Sequence, residues 1–171
     1  MQRRTLLQSM AAFAALPLLP TLARAATQAI DVVIPPLRKS KDAWRKLLPP
    51  LAYAVLFEDG TERAFTSPLN DEHRPGTFVC AACHLPLFLS SYKFDSGTGW
   101  PSFTQSIPGR VGFKDDYMLV EKRTEYHCVR CGGHQGHRFD DGPPPRGERW
   151  CNNGVALDFI PKGHALPALR T

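Results

Sequence analysis

The sequence predicts a mainly β domain in which loops outweigh helices, and three observations carry that expectation. Sixteen prolines and thirteen glycines in 171 residues interrupt helices and punctuate turns. Several short segments alternate apolar and polar residues or concentrate β-branched and aromatic side chains, as strands do. Two Cys-x-x-Cys pairs, Cys80/Cys83 and Cys128/Cys131, have the spacing of a knuckle pair that would staple a loop-rich fold. The length suits one domain with a real core and is short for two.

Residues 1–25 read as an export signal. Arg3-Arg4 precedes an apolar run from about Met10 to Leu22, and Ala23-Arg24-Ala25 is an A-x-A pattern that places cleavage after Ala25. Pro17 and Pro20 break the run, which falls short of the roughly 20 residues a bilayer span needs; an uncleaved anchor is the competing reading. The adjacent arginines resemble a bacterial twin-arginine signal, so the expected location is exported and periplasmic, with no stable membrane insertion after processing. Without Arg3, Arg4 and Arg24 the 21 basic residues fall to 18 against 16 acidic, a net +2. That balance argues against a nucleic-acid partner.

Residues 26–39 form an extended lead-in, and 40–171 the domain. Ser40 has the character of a helix N-cap, with Asp42 in the first turn and an apolar stripe of Ala43, Trp44, Leu47 and Leu48 before Pro49-Pro50. Tyr53, Val55 and Phe57 then alternate ahead of Asp59-Gly60, which predicts a strand and a hairpin turn. Phe78-Val79 leads into the first cysteine pair, and Leu87-Phe88 and Tyr92 to Phe94 suggest short strands or turns. Further strands are expected at Tyr117–Glu121, Thr124–Cys128 and Val155–Ile160.

The chemistry concentrates between Glu125 and Pro161. Two knuckles supply the four thiolates that zinc prefers, in a closed and therefore structural site; paired disulfides or redox thiols are the alternatives. Cys151 is the cysteine left over, in a polar setting between Arg149 and Asn153 and beyond Pro143-Pro144-Pro145. A free thiol with a pKa of about 8.5 is only slightly ionised at pH 7, so a nucleophilic Cys151 needs help, which Arg149, Asn153, His134 or His137 can supply. An inert buried thiol is the plainer reading. His134 and His137 are spare once four thiolates take the metal, and acid/base work suits them. Trp100, bracketed by Gly99 and Pro101, is either a pocket wall or a core aromatic.

Taken in order, Thr61-Glu62-x-x-Phe65-Thr66, Gly76-x-Phe78-x-Cys80-x-x-Cys83, Ser96-Gly97-Thr98-Gly99-Trp100-Pro101-Ser102-Phe103, His134-x-Gly136-His137-x-Phe139, Asp141-Gly142-Pro143 and Gly147-Glu148-Arg149-Trp150-Cys151-x-Asn153 resemble the B-type methionine sulfoxide reductases. The resemblance spans about Ser40 to Pro161. It implies two packed antiparallel sheets, one structural zinc on Cys80, Cys83, Cys128 and Cys131, and thiol-dependent reduction of methionine-R-sulfoxide in proteins or peptides. Cys151 would be the catalytic cysteine and pass through a sulfenic acid. Trp100 and Phe139 would face the substrate, while His134, His137, Asp141, Arg149 and Asn153 place the sulfoxide and tune the thiolate.

Many members of the family carry a recycling cysteine where this chain has Thr98. An external thiol or a thioredoxin-like partner is therefore expected to reduce Cys151. Gln135 and Gly154 stand where the family more often has Leu and Ser, and Trp150 where it has Tyr or Phe. Nothing suggests an obligate interface, so a monomer is expected. A non-catalytic zinc-ribbon binding module is the alternative from another functional class, and it would have no use for a lone nucleophile.

Overall fold

A computed structural model describes residues 34–117 and 123–171. The expected export signal, most of the lead-in, and residues 118–121 of one expected strand lie outside the described residues. Helix α1 (Lys41–Leu47) begins where Ser40 Oγ accepts from the Ala43 amide at 3.2 Å, and Trp44 buries its face. Extended Leu48 and the two prolines end it.

The next stretch corrects an expectation. Tyr53, Val55 and Phe57 belong to helix α2 (Pro50–Phe57), not to a strand. Its sequence, PLAYAVLF, is apolar on every side, so it carries no 3.6-residue signal, and the apparent alternation is incidental. Proline at its first position is pre-set for a helix start. Tyr53 and Phe57, one turn apart, lie 5.9 Å between ring centres, and Phe57 stacks on Trp44 at 5.3 Å. Asp59-Gly60 is a helix end rather than a hairpin turn, with Asp59 at φ 54° and the Gly60 amide returning to the Ala54 carbonyl at 3.0 Å.

The strands are β1 (Gly76–Cys80), β2 (Pro86–Leu89), β3 (Lys93–Phe94), β4 (Ser102–Phe103), β5 (Val111–Asp116), β6 (Arg123–Cys128), β7 (His134–Phe139), β8 (Arg149–Asn152) and β9 (Leu157–Pro161). Two antiparallel sheets result, a small one in the order β2-β1-β9 and a larger one in the order β3-β4-β8-β7-β6-β5. Tyr117, the one described residue of the expected Tyr117–Glu121 strand, lies just beyond β5 and outside any strand, and Gly154–Ala156 is a short 3-10 turn ahead of β9.

Aromatic rings join the sheets. Phe88 of β2 stacks on Phe103 of β4 at 4.2 Å, Phe78 of β1 meets Phe103 edge-on at 5.0 Å, and Tyr126 and Trp150 of the larger sheet continue the layer. Phe78, Phe88, Phe103 and Tyr126 are fully buried. At about 25 cal/mol per Å² of apolar surface, each such ring contributes a few kcal/mol. Period two along β8 then decides the site: Trp150 and Asn152 point into this core, which turns Arg149 and Cys151 to the opposite face.

Candidate active site

Cys151 sits in an inner strand, with Ser102 of β4 opposite on one side and His137 of β7 opposite on the other. Directly opposed residues share a sheet face, so thiol and imidazole are neighbours by register. The cleft above them measures about 110 Å³ and is walled by Thr61, Trp100, Arg123, Gly136, His137, Phe139, Asn152 and Asn153 around Cys151. That volume admits a side-chain tip rather than a drug-sized ligand.

Each wall is separately fixed. The Trp100 indole N–H donates to the Glu62 carbonyl at 2.9 Å. Gly99, at φ 91°, lets Phe65 pack where a Cβ would meet its ring at 2.8 Å, which sets the backbone just before Trp100. Asn153 is spent on bracing: its Oδ1 accepts from the Glu62 amide at 2.9 Å, and its Nδ2 donates to the Gln135 carbonyl at 3.1 Å. The buried Glu62 carboxylate accepts from the Gly154 amide at 2.6 Å, and burial pushes its pKa up despite that bond. Tyr126 secures β8 from the core side, donating to the Cys151 carbonyl at 3.1 Å.

Burial pushes the Cys151 thiol up, and the Arg149 charge and the Thr98 hydroxyl pull the other way without cancelling it. At pH 7 Cys151 is therefore a neutral thiol beside a cation. Arg149 is itself held by a two-pronged pair with Asp141 at 2.8 and 2.9 Å, and its guanidinium lies 4.2 Å over the Phe139 ring. Asp141 does not line the cleft; it bears on it through Arg149.

The two histidines differ. His137 lines the cleft, and its Nε2 lies 2.7 Å from Asp116 Oδ2; burial holds its pKa below the ordinary value. His134 lines an adjoining pocket with His137, Arg123, Asp116 and Glu125, at 5.3 Å between the two imidazole centres. Its Nδ1 lies 3.0 Å from Glu125 Oε1, and Lys114 lies 3.1 Å from Glu125 Oε2. Burial would raise Glu125, but His134 and Lys114 outweigh it and hold the carboxyl low.

Thus Cys151, His137, Trp100, Phe139 and Asn153 come together at the cleft, Arg149, held by Asp141, acts on Cys151 without being one of the cleft walls, and His134 stands one pocket away. Sequence reasoning missed Asp116, Arg123 and Thr61 as site residues. A strand read from the period-two run Lys114, Asp116 would have put Asp116 beside β6, but nothing local marked it.

The four knuckle cysteines meet elsewhere. Their sulfurs lie within 4.8 Å of one another, with Cys80 and Cys131 at 3.7 Å and Cys83 and Cys128 at 3.5 Å. A disulfide needs about 2.05 Å, whereas sulfurs around zinc at about 2.3 Å sit roughly 3.8 Å apart on a tetrahedron. The donor set and spacing fit zinc. The two knuckles are built alike: the Cys80 amide donates to Leu85 and its carbonyl accepts from His84, and Cys128 does the same with Gly133 and Gly132. Gln135, fully buried, donates from Nε2 to Cys80 Sγ at 3.5 Å and accepts from Asn152 Nδ2 at 3.5 Å, linking the knuckle to β8.

Residues 48–161 match the SelR domain model. The chain belongs to the SelR family. Among its relatives are the peptide methionine sulfoxide reductases MsrB of Agrobacterium fabrum, 48% identical over 132 residues (77% of this chain, 98% of the relative), and of Bradyrhizobium diazoefficiens, 50% identical over 125 residues (72% and 90%). The MsrB of Thiobacillus denitrificans is also 50% identical over 125 residues, covering 72% of this chain and 95% of that protein. With the family known, two of this chain's departures find a physical place. Trp150 points into the inter-sheet core, 6% exposed, and is not a cleft wall. At Gly154 a Cβ would lie 1.8 Å from Ser67 Oγ, so Ser67 fills the space a side chain there would occupy. The cysteine quartet is the structural zinc site of this SelR domain.

Proposed function

We propose that this chain reduces methionine-R-sulfoxide in proteins or peptides to methionine, with Cys151 as the oxygen acceptor and an external thiol or thioredoxin-like protein as the final reductant. The observation that carries the reading is Cys151 opposite His137 in a small cleft walled by Trp100 and Phe139, while every other cysteine is committed to the knuckles. A sulfoxide methyl is apolar and suits the indole face; its oxygen is a strong acceptor and needs donors beside the thiol.

In the first half-reaction the Cys151 sulfur attacks the substrate sulfur while the oxygen gains a proton, because an unprotonated oxygen leaves poorly. The oxygen then passes to Cys151: its bond to the Cys151 sulfur forms as the substrate S–O bond and the transient S–S bond break, so methionine leaves and Cys151 remains as a sulfenic acid that keeps the proton. Substrate sulfur is reduced by two electrons and Cys151 is oxidised by two. Arg149, held by Asp141, favours the developing thiolate, Trp100 and Asn153 wall or brace the cleft, and His134 lines the adjoining pocket beside His137. Thr98 brings a hydroxyl to Cys151 and cannot form a disulfide with it. The second half-reaction therefore takes two electrons from outside the chain. A non-catalytic zinc-ribbon module would leave the whole Cys151 face without use.

For residues 1–25, the paired arginines, the short apolar run and Ala23-Arg24-Ala25 support export by a twin-arginine route to the periplasm, with cleavage after Ala25. Cytoplasmic folding before export would load the zinc while its ligands are reduced. The test of activity is turnover of separate R and S methionine sulfoxide peptides with a small dithiol. Reduction of the R form alone, abolished by Cys151→Ser with zinc retained, is the expected result; equal reduction of both epimers, or activity surviving Cys151→Ser, would refute it.

A further inference from the structure

We propose that Asp116 is the positioning residue for proton transfer: it holds His137 as the Nε2–H tautomer, so that Nδ1 receives the Cys151 thiol proton and hands it to the sulfoxide oxygen. The inference rests on the reductase reading above. Asp116 is 7% exposed, and its Oδ2 is 2.7 Å from His137 Nε2 and 2.6 Å from Arg123 Nη2. A carboxylate only accepts, so the ring hydrogen facing it lies on Nε2, and Nδ1 keeps the lone pair of a ring that lines the cleft. Arg123, opposite Asp116 across β5 and β6, pairs with the same carboxylate oxygen and holds it in place.

The proton count agrees. Burial keeps the Cys151 thiol protonated and His137 neutral, so the pair shares one movable proton. The half-reaction needs one: it leaves sulfur as the S–S contact with substrate forms, rests on Nδ1, and bonds to oxygen as the S–O bond weakens. No proton is drawn from solvent, and the imidazolium formed in passing has Asp116 behind it. His134 does not compete for this task, since it is not a wall of the Cys151 cleft.

The test uses the full chain with zinc bound and measures single-turnover formation of methionine from an R-sulfoxide peptide without reductant, together with nitrogen-15 spectra of the His137 ring. The wild-type ring should show the Nε2–H tautomer. Asp116→Asn should slow the single turnover about 10²-fold without raising the half-saturating peptide concentration, and should shift the ring toward Nδ1–H; Asp116→Glu should restore much of both. A wild-type Nδ1–H ring overturns the proposal even if the Asn variant fails to fold. So does an Asn variant that keeps wild-type turnover, or Asn and Glu variants that lose zinc and activity alike, which would make Asp116 structural. A wild type that never reduces the R-sulfoxide would refute the reductase reading, and the tautomer would still report on Asp116 separately.

Discussion

At the scale of single residues the site opposes burial to charge. Cys151 lies in an inner strand, and its thiol is pushed above its ordinary value by desolvation, with Arg149 and Thr98 working against the shift. The thiolate fraction at pH 8 should therefore be small and should climb tenfold per pH unit until the raised pKa is reached. Arg149→Gln removes a group that favours the thiolate, so the pKa moves further up. Alkylation of Cys151 at pH 8 should slow about tenfold, with the plateau displaced to higher pH. A profile unchanged by the substitution would show that Arg149 does not act on the thiol. That Cys151, His137 and Trp100 share one cleft was legible, because such residues rarely gather without a task. Asp116 and Arg123 were not, because their meaning lies in pairing between β5 and β6, where ordinary charged residues on a strand become a buried carboxylate and its counter-ion.

At the scale of elements, legibility followed the strength of local signals. Helix α1 announced itself through Ser40, Asp42 and the prolines beyond, and the structure keeps each in that place. Helix α2 did not, since an all-apolar run of eight residues has no face to reveal. Strands β7 and β8 were concealed by their own chemistry: HQGHRF and RWCN read as motifs, and only the sheet register explains why their alternate residues share one face. The turn after β8 bears on the chain's departure from its family at Gly154. Gly154→Ser alone should cost roughly 1–3 kcal/mol by overpacking against Ser67. The double variant Gly154→Ser with Ser67→Gly should recover most of it, as read from denaturant midpoints; a single variant as stable as the wild type would show that the contact carries no strain.

At the scale of the whole molecule, the zinc knuckles join the two sheets. Cys80 closes β1 of the smaller sheet and Cys128 closes β6 of the larger, so a metal shared by them ties the layers that the aromatic core fills. Structural zinc in small sites contributes on the order of 10 kcal/mol or more, comparable with the entire stability of a domain this size. Chelation should therefore abolish the near-ultraviolet signal of the buried aromatics, with recovery on adding zinc back, and a metal-free chain melting as before would contradict that linkage. The same partition of sulfur leaves Cys151 alone: one cysteine takes the oxygen and no other cysteine in the chain answers. The most direct test is a single turnover of an R-sulfoxide peptide by the zinc-loaded chain without reductant, followed by mass mapping of every cysteine. The expected product is one methionine per chain and one oxygen on Cys151, trapped as its dimedone adduct, with the four knuckle cysteines unchanged. A disulfide joining Cys151 to a knuckle cysteine, or methionine formed with Cys151 unmodified, would contradict it.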